Sequence, residues 1–276
     1  MRKVRNFALL LIILCIAVYY YRVNFAEKKV LRIGMECDYV PSNWEEFKPS
    51  ESNVPLANIT GSYAEGYDVQ IAKRIAEELG MTPEFRKIHW NDLIEALNTG
   101  EIDVIFSGML DTEDRRKLIA FSDTYEITKT EYTIFIDTRG KYADASSFAD
   151  LAGARIVAQK GTEHDAVVEQ IPEVIHLEPA ETITEALNMI IEGKADGMVM
   201  DLDAAVSYES AYHTLSVIRF SEGEGFVVNF SGVCAGVRKK DTKLLNGINK
   251  AIGNISKRER RRLMDRTISR LWRNLS

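Results

Sequence analysis

Hydrophobic and polar positions follow two different periods in the first part of the chain. The run LRIGMEC (31–37) is apolar at nearly every position, which is typical of a buried strand. DVQIAKRIAEELG (68–80) repeats apolar residues every three or four positions, which predicts a helix ending at Gly80. Its apolar face consists of Val69, Ala72, Ile75, Ala76 and Leu79. The pattern then predicts a strand around 84–88, a helix over 90–98 and a buried strand over 102–106. Short strands separated by helices predict parallel α/β units.

The same order of elements recurs in the second half of the chain. ARIVAQKGTEHDAVVEQI (154–171) reads as strand, glycine turn and helix, ETITEALNMIIEG (181–193) as a helix, and ADGMVMD (195–201) as a buried strand ending at Asp201. Two such units predict an α/β protein with two lobes.

Two β-rich stretches, YEITKTEYTIFI (125–136) and GFVVNFSGVCAGVRK (225–239), are predicted to contain the crossings between the lobes. We therefore assign 29–126 to the first lobe, 127–228 to the second, and 229–276 to a return to the first lobe that ends in two helices.

The amino terminus is predicted to be separate from this fold. MRKVRN supplies positive charge and 7–21 is an apolar run ending in aromatic residues, so residues 1–28 form either a secretory leader or an uncleaved membrane anchor. Cys15 is a poor candidate for lipid attachment, because Leu14 before it is not small. With either interpretation, the chain after residue 28 lies outside the cytoplasm.

Composition excludes some classes of function. A net charge of −6 argues against a nucleic-acid partner, and the basic stretch KRERRRLMDR (257–266) is interrupted by Glu259 and Asp265, which favours a solvated helix face. No metal-binding spacing is present, so we expect no metal or cofactor and interpret all four histidines, including His164, as surface or core residues. Cys37 and Cys234 could pair in an oxidising compartment.

Three residues lie where strands end and are candidates for chemistry. Arg115 follows the strand over 102–106 within SGMLDTEDRR (107–116), Thr162 begins a helix after QKG, and Asp201 closes a strand. Ligands of open α/β sheets bind beyond the carboxyl ends of the strands. A guanidinium, helix amides and a carboxylate together suit a free α-amino acid, because both of its charges must be paired when it is buried. Taken singly, each residue is better explained as an ion pair or a helix cap, but the occurrence of all three at equivalent places favours a binding site.

The chain resembles the family 3 periplasmic solute-binding proteins, the polar amino acid receptors of ABC importers, over residues 31–271. The residues that carry the resemblance are LRIGMECDYVP, GYDVQIAKRIAEELG, WNDLIEALNTGEIDVIFSGMLDTEDR, FSDTY, QKGT, GKADGMVMD and AGVRKKD, in this order. The resemblance implies a type II periplasmic-binding-protein fold, with a ligand cleft between two lobes and two hinge crossings.

The resemblance also implies roles for individual residues. Arg115 and Thr162 would bind the ligand carboxylate, while Asp201 and the carbonyl of Gly108 would bind the ammonium. The side-chain pocket would be formed by Tyr39 and Trp90 as walls and by Glu36 as the residue that reads the side chain. A pocket of this kind favours a cationic or polar side chain, although Glu36 could instead pair with a neighbouring lysine or arginine.

Two features depart from the family pattern. Leu110 stands where the family usually has Thr or Ser, which leaves only its backbone amide for the ligand. Residues 42–65 form an insertion, which we predict to be a surface loop. The alternative is that Trp44, Tyr63 and Glu65 overhang the cleft.

These observations predict an extracytoplasmic protein that captures a polar amino acid, of basic type if Glu36 faces it, by hinge closure. It would be a monomer without enzymatic activity, delivering the amino acid to the permease subunits of an ABC transporter and contacting the membrane through its amino terminus. Two alternatives remain at this stage. One is an enzyme resembling the cyclohexadienyl or arogenate dehydratases that share the fold, and the other is a ligand-sensing ectodomain.

Overall fold

The computed structural model describes residues 29–125, 131–221, 224–228 and 232–275. Within these ranges the chain forms two mixed five-stranded sheets and a small four-stranded antiparallel sheet. The strands, in chain order, are β1 (Val30–Met35), β2 (Asp38–Tyr39), β3 (Asn43–Glu46), β4 (Val54–Pro55), β5 (Tyr63–Glu65), β6 (Thr82–Lys87), β7 (Val104–Ile105), β8 (Ala120–Thr124), β9 (Tyr132–Asp137), β10 (Arg155–Val157), β11 (Ile175–His176), β12 (Gly197–Asp201), β13 (Leu215–Val217) and β14 (Cys234–Val237). The α-helices are α1 (Tyr67–Glu78), α2 (Leu93–Thr99), α3 (Glu113–Leu118), α4 (Glu163–Val167), α5 (Ile183–Ile191), α6 (Leu202–Glu209), α7 (Thr242–Asn254) and α8 (Lys257–Leu275).

The first sheet has the strand order β6-β1-β7-β14-β8. β1 is parallel to β6 and β7, whereas β14 is antiparallel to β7 and β8. Helix α1 covers this sheet with the predicted apolar face, since Val69, Ala72, Ile75 and Ala76 are buried in the same core as β1. The apolar pattern of the sequence therefore predicted the first strand and the first helix of this lobe correctly.

The second sheet has the order β11-β10-β12-β9-β13, in which β10 is parallel to β11 and β12 while β9 is antiparallel to β12 and β13. Its strands all lie between residues 132 and 217, whereas the first sheet uses strands from both ends of the chain. This arrangement confirms the two-lobe α/β prediction. The exact lobe boundaries stay a prediction, because residues 126–130 and 229–231 lie outside the described residues, as do residues 1–28.

The return to the first lobe ends in α7 and α8. Ile248, Ala251 and Ile252 of α7 are buried in the core of the first lobe, and Leu263 and Met264 of α8 pack against that core. The cations of α8 at positions 257, 258, 261, 262 and 266 are exposed, as expected for a solvated helix face. None of the helices within the described ranges is long and apolar enough to cross a membrane.

Two predicted elements are shorter than the sequence pattern suggests. β7 covers only Val104–Ile105, because the carboxylate of Asp103 binds Arg32 at one end and the chain turns through Gly108 (φ 61°) beyond the other. The helix predicted over 90–98 begins as a 3₁₀ turn, with the amide of Asp92 donating to the carbonyl of His89 at 2.9 Å, and becomes α-helical at Leu93.

The prediction that the insertion 42–65 is a surface loop is wrong. It forms most of the small sheet, ordered β2-β3-β5-β4, and buries Trp44 and Glu65. Gly66 joins this sheet to α1 at φ 132°, and a Cβ there would lie 2.2 Å from the carbonyl oxygen of Ser42. Only glycine fits this junction.

The two cysteines of the lobes are buried, and no disulfide joins Cys37 to Cys234. The pairing that the sequence allows is therefore absent from this structure. Burial raises the pKa of the Cys37 thiol, which keeps it protonated and unreactive at neutral pH.

The carboxylate of Asp68 connects three separate segments of the first lobe. Its Oδ2 accepts hydrogen bonds from Asn43 Nδ2 (2.8 Å) and from the amide of Gly108 (2.9 Å), and its Oδ1 accepts from the hydroxyl of Tyr125 (2.8 Å). The donors come from the small sheet, from the turn after β7 and from the chain just after β8.

We predict that Asp68→Ala lowers the free energy of unfolding by about 3–5 kcal/mol, because it leaves several buried donors without an acceptor at about 1–3 kcal/mol each. Urea denaturation followed by circular dichroism measures the effect. Asp144→Ala, at an exposed carboxylate, is the control and should change the value by less than about 0.5 kcal/mol. A loss below about 1 kcal/mol for Asp68→Ala would contradict the proposed role.

Candidate functional site

A cavity of about 370 Å³ lies between the two lobes. All eight residues predicted from the sequence line it: Glu36, Tyr39, Trp90, Gly108, Leu110 and Arg115 from the first lobe, and Thr162 and Asp201 from the second. The remaining lining residues are Pro41, Ser42, Ser107, Glu131, Tyr132, Gln159, Glu163, His164, Leu202, Asp203, Ala204, Val233 and Met264. Trp44, Tyr63 and Glu65 do not line it, so the alternative that they overhang the cleft is also wrong.

Arg115 places a buried cation at the wall of the cavity. The residue is 9% exposed, and it lies on α3, where its amide donates to the Oγ1 of the N-cap residue Thr112. Its Nη1 donates to the carbonyl of Leu110 (2.9 Å) and its Nη2 to the carbonyl of Gly161 in the other lobe (3.1 Å). Within the described ranges, no carboxylate forms an ion pair with it. Burial lowers the pKa of the guanidinium, and the negative charge of Glu163 opposes this shift only in part.

Trp90 packs against this cation. The Cζ of Arg115 lies 5.2 Å from the centroid of the Trp90 ring, and Trp90 Nε1 donates to the same Gly161 carbonyl (3.2 Å). Thr162 follows Gly161 as the N-cap residue of α4, but its hydroxyl donates to the carbonyl of Gln159 (2.6 Å) instead of capping the helix. The loop that leads into α4 therefore contacts the Arg115 guanidinium through the Gly161 carbonyl.

Asp201 lies at the end of β12 and at the N-cap position of α6, where its side chain makes no capping hydrogen bond. Burial, assisted by the charge of Asp203, raises the pKa of Asp201 to about 7. Its Oδ2 lies 3.1 Å from His164 Nε2. The cavity thus combines a buried cation on the first lobe with a half-buried carboxyl group on the second.

Comparison with known proteins places this arrangement in a family. Residues 31–268 match the model of the bacterial extracellular solute-binding proteins, family 3. The chain belongs to this family. The Bacillus subtilis arginine-binding extracellular protein ArtP is 27% identical over 233 residues, which cover 82% of this chain and 80% of that protein. The Escherichia coli K12 L-cystine-binding protein TcyJ is 23% identical over 232 residues, covering 84% of this chain and 79% of TcyJ.

Solved structures match the fold over most of its length. An arginine-bound substrate-binding protein of a Streptococcus pneumoniae amino acid ABC transporter superposes with a TM-score of 0.74 at 23% identity, covering 87% of this chain and 94% of that one. An arginine-bound arginine-binding protein of T. maritima gives a TM-score of 0.68 at 26% identity, covering 82% and 96%. These matches confirm the predicted type II fold and the prediction that this solute-binding protein is not an enzyme. The dehydratase alternative is thereby set aside.

In this solute-binding protein, Glu36 contacts the opposite lobe. The residue is 4% exposed, its amide donates to Ser107 Oγ at 2.9 Å, and its carboxyl Oε1 accepts a hydrogen bond from Gln159 Nε2. The alternative that Glu36 forms an ion pair with a neighbouring lysine or arginine finds no such pair among the described residues, where Lys87 pairs with Glu45. Burial is the main cause that raises the pKa of Glu36 to about 8, and the charge of Asp38 adds to it.

The interpretation of His164 as a surface or core residue agrees with its burial, but its place at the cavity was missed. This histidine lines the cavity and touches the predicted ammonium ligand Asp201. Gln159 was missed as well. Gln159 is the first residue of the QKGT segment and His164 lies two residues after it, so the glycine turn that revealed Thr162 was the available signal. Their partners Glu36 and Asp201 are distant in sequence.

We predict that Glu36 makes the ligand-free protein less stable as pH rises. A carboxyl group with a raised pKa stabilises the folded state when protonated, and that contribution is lost as pH rises from about 4 through about 8. Between pH 5 and pH 9, the parent should therefore lose about 2–4 kcal/mol more of its free energy of unfolding than Glu36→Gln does.

Urea denaturation of both proteins at the two pH values measures this difference. Glu178→Gln, at an exposed position, is the control and should follow the parent at both pH values. Equal pH dependence of the parent and Glu36→Gln would show that Glu36 is already ionised at pH 5.

Proposed function

We propose that this protein binds a free α-amino acid outside the cytoplasm and delivers it to the permease subunits of an ABC transporter. The observation that carries the proposal is that Arg115 and Asp201 line the same cavity from opposite lobes. Arg115 is a buried cation that forms no ion pair with a carboxylate among the described residues, and Asp201 contacts only His164 through its side chain. An α-amino acid carries a carboxylate and an ammonium, which would pair with Arg115 and Asp201 respectively. These pairs would offset the cost of burying the two charges of the ligand and the two of the protein. The named functions of its relatives, which include arginine and cystine binding, support this proposal.

The ligand's carboxylate would bind Arg115 and the amides that follow Thr162. A guanidinium can offer two parallel N–H donors to a carboxylate, and helix amides add further donors. The ammonium would bind Asp201 and the carbonyl of Gly108. The φ of 61° at Gly108 and the hydrogen bond that its backbone amide donates to Asp68 support this placement, because together they fix the backbone at the cavity wall.

The side-chain pocket favours a basic amino acid, with arginine as the first candidate. Glu36, Tyr39 and Trp90 line the cavity, and the described hydrogen-bond partner of the Glu36 carboxyl group is a neutral amide. A cation beside Glu36 would favour its ionised form, and the aromatic faces would add cation–π attraction. An acidic side chain would be repelled by the ionised form of Glu36. Glutamine and cystine are the next candidates, since they offer neutral polar groups.

Capture would proceed by closure of the two lobes. Hydrogen bonds already cross the cleft at its rim, from Asn91 Nδ2 to Glu181 Oε2 (3.0 Å) and from the amide of Thr184 to Asp38 Oδ2 (2.9 Å). These partners are exposed, so each bond stabilises the closed form only weakly. A ligand that bonds both lobes would shift the equilibrium toward closure.

We also propose a location, a membrane contact and an oligomeric state for the protein. A place outside the cytoplasm agrees with an extracellular solute-binding family. We propose that residues 1–28 direct export, and that the apolar run 7–21 anchors the protein when it is not cleaved; both lie outside the described residues. A monomer is sufficient for this function, because both halves of the cavity come from one chain.

We predict that L-arginine binds more tightly than glutamine and that glutamate does not bind. Arg115→Ala and Asp201→Ala should each cost about 2–5 kcal/mol of binding free energy, because a buried charge loses its partner. This corresponds to a loss of about thirtyfold to several thousandfold in affinity. Isothermal titration calorimetry with the free amino acids measures both effects.

Arg116→Ala is the matched control for the arginine variant. Arg116 is adjacent to Arg115 and has a side chain 60% exposed, pairing with Asp111. Its removal should leave affinity within about threefold, as is usual for an exposed ion pair. A parent protein that binds no amino acid would overturn the proposed function. Unchanged affinity in Arg115→Ala would remove that residue from the site, and a preference for glutamate would refute the basic pocket.

We predict that L-arginine reduces the radius of gyration of the parent protein in small-angle X-ray scattering. The compact, closed form should dominate at saturating ligand, because the ligand's two charged groups join the lobes. Asp201→Ala is the control, since it lacks one of these bonds and should stay in its ligand-free distribution. Identical scattering curves for the parent with and without bound arginine would contradict closure on binding.

A further inference from the structure

His164 combines burial with direct contact to the binding site. The residue is 8% exposed, lies on α4 and lines the cavity. Its Nε2 lies 3.1 Å from Asp201 Oδ2, and its ring packs 4.6 Å from the ring of Tyr132, at an interplanar angle of 58°. Tyr132 thus limits how the imidazole can turn, while the imidazole contacts the carboxylate that we assign to the ammonium.

The surroundings of His164 select one tautomer. Burial lowers the pKa of His164 to about 3, and the positive charge of Arg115 acts in the same direction, so the ring is neutral at neutral pH. Its Nδ1 is buried and has no hydrogen-bond partner among the described residues. A proton on Nδ1 would therefore be a buried donor without an acceptor, which is costly. The proton belongs on Nε2, from which it is donated to Asp201.

Asp201 has no alternative side-chain donor in the described part of the chain. The charged and titratable groups around the pair come from several elements: Arg115 on α3, Glu163 and Asp165 on α4, Tyr132 on β9, and Asp203 on α6. Asp165 Oδ1 is hydrogen-bonded to His176 Nε2 at 2.8 Å. The charge of Asp203 repels the ionised form of Asp201. The Nε2–H donor of His164 opposes this repulsion by binding the carboxylate directly.

We propose that His164 is the positioning residue of the ammonium site, whose Nε2–H keeps the Asp201 carboxylate ionised and fixed at the cavity. The proposal rests on the proposed amino-acid-binding function. It assigns His164 a part in the pH dependence of capture, because only the ionised carboxylate can pair with the ligand's ammonium. In the parent, affinity should fall as pH drops below about 7, where Asp201 takes up a proton.

The test compares two substitutions at this position. His164→Leu removes the donor while keeping an apolar side chain of similar size, and His164→Gln keeps an N–H that can reach the same carboxylate. At pH 6.5, the Leu variant should bind L-arginine about tenfold to a hundredfold more weakly than the parent, the range for a lost hydrogen bond to a charged group. At pH 8.5, where Asp201 ionises without help, the deficit should shrink to about threefold. The Gln variant should stay within about threefold of the parent at both pH values.

A second measurement does not depend on a ligand. The carboxyl carbon of Asp201, assigned in ¹³C NMR spectra by its loss in Asp201→Asn, should titrate at higher pH in His164→Leu than in the parent, by about one pH unit or more. It should titrate at the parent's pH in His164→Gln. His213→Leu, the same substitution at an exposed histidine, is the control for both measurements and should match the parent.

The outcomes separate this proposal from the proposed function. An equal loss of affinity in His164→Leu at both pH values, or an unchanged Asp201 titration, overturns the positioning role even if arginine binds the parent well. If no amino acid binds the parent, the proposed function fails, and the NMR titration still decides the link between His164 and Asp201. A shifted titration in the Leu variant with rescue by Gln supports the proposal.

Discussion

The Asp68 carboxylate is the interaction on which the shape of the first lobe's cavity wall depends. Three chain segments that are remote in sequence donate to it, through Asn43, Gly108 and Tyr125. A buried carboxylate requires such donors, and the segments that supply them are held at fixed positions in return. One of these segments is the turn that carries Gly108, and another is the chain at Tyr125, directly after β8. The wall of the cavity and the end of the first sheet's edge strand are therefore held by the same side chain.

The cavity itself is built at the expense of stability. Glu36 and Asp201 both have pKa values raised toward neutrality by burial, and Arg115 is a buried cation whose described partners are backbone carbonyls. A core of apolar side chains would avoid these costs, and proteins retain such groups at sites where a ligand relieves them. Under the proposed function, Arg115 would pair with an anionic group of the ligand and Asp201 with a cationic one.

The sequence predicted the elements and the site better than it predicted partnerships. Periodicity identified α1 and the strand ends, and because the carboxyl ends of strands meet at one edge of a sheet, the residues that follow them reached a common cavity. The sequence did not show which side chains contact each other across the fold. His164 meets Asp201 37 positions away in the chain, and Glu36 meets Gln159 across the cleft. The prediction for the insertion was wrong for a similar reason. Its strands are two to four residues long, too short to show a hydrophobic period, and are defined by pairing with one another.

The carbonyl of Gly161 explains how one cation can serve both closure and capture. It accepts hydrogen bonds from Arg115 Nη2 and from Trp90 Nε1, so the loop before α4 already rests on the first lobe through the residue that we assign to the ligand's carboxylate. A guanidinium has five N–H donors, and a carboxylate can use two of them while the carbonyl keeps its own. The bond to a carboxylate is also the stronger, because both partners are charged. Under the proposed function, ligand capture would therefore neutralise the buried charge without displacing the contact between the lobes, and the two interactions would support the same closed arrangement.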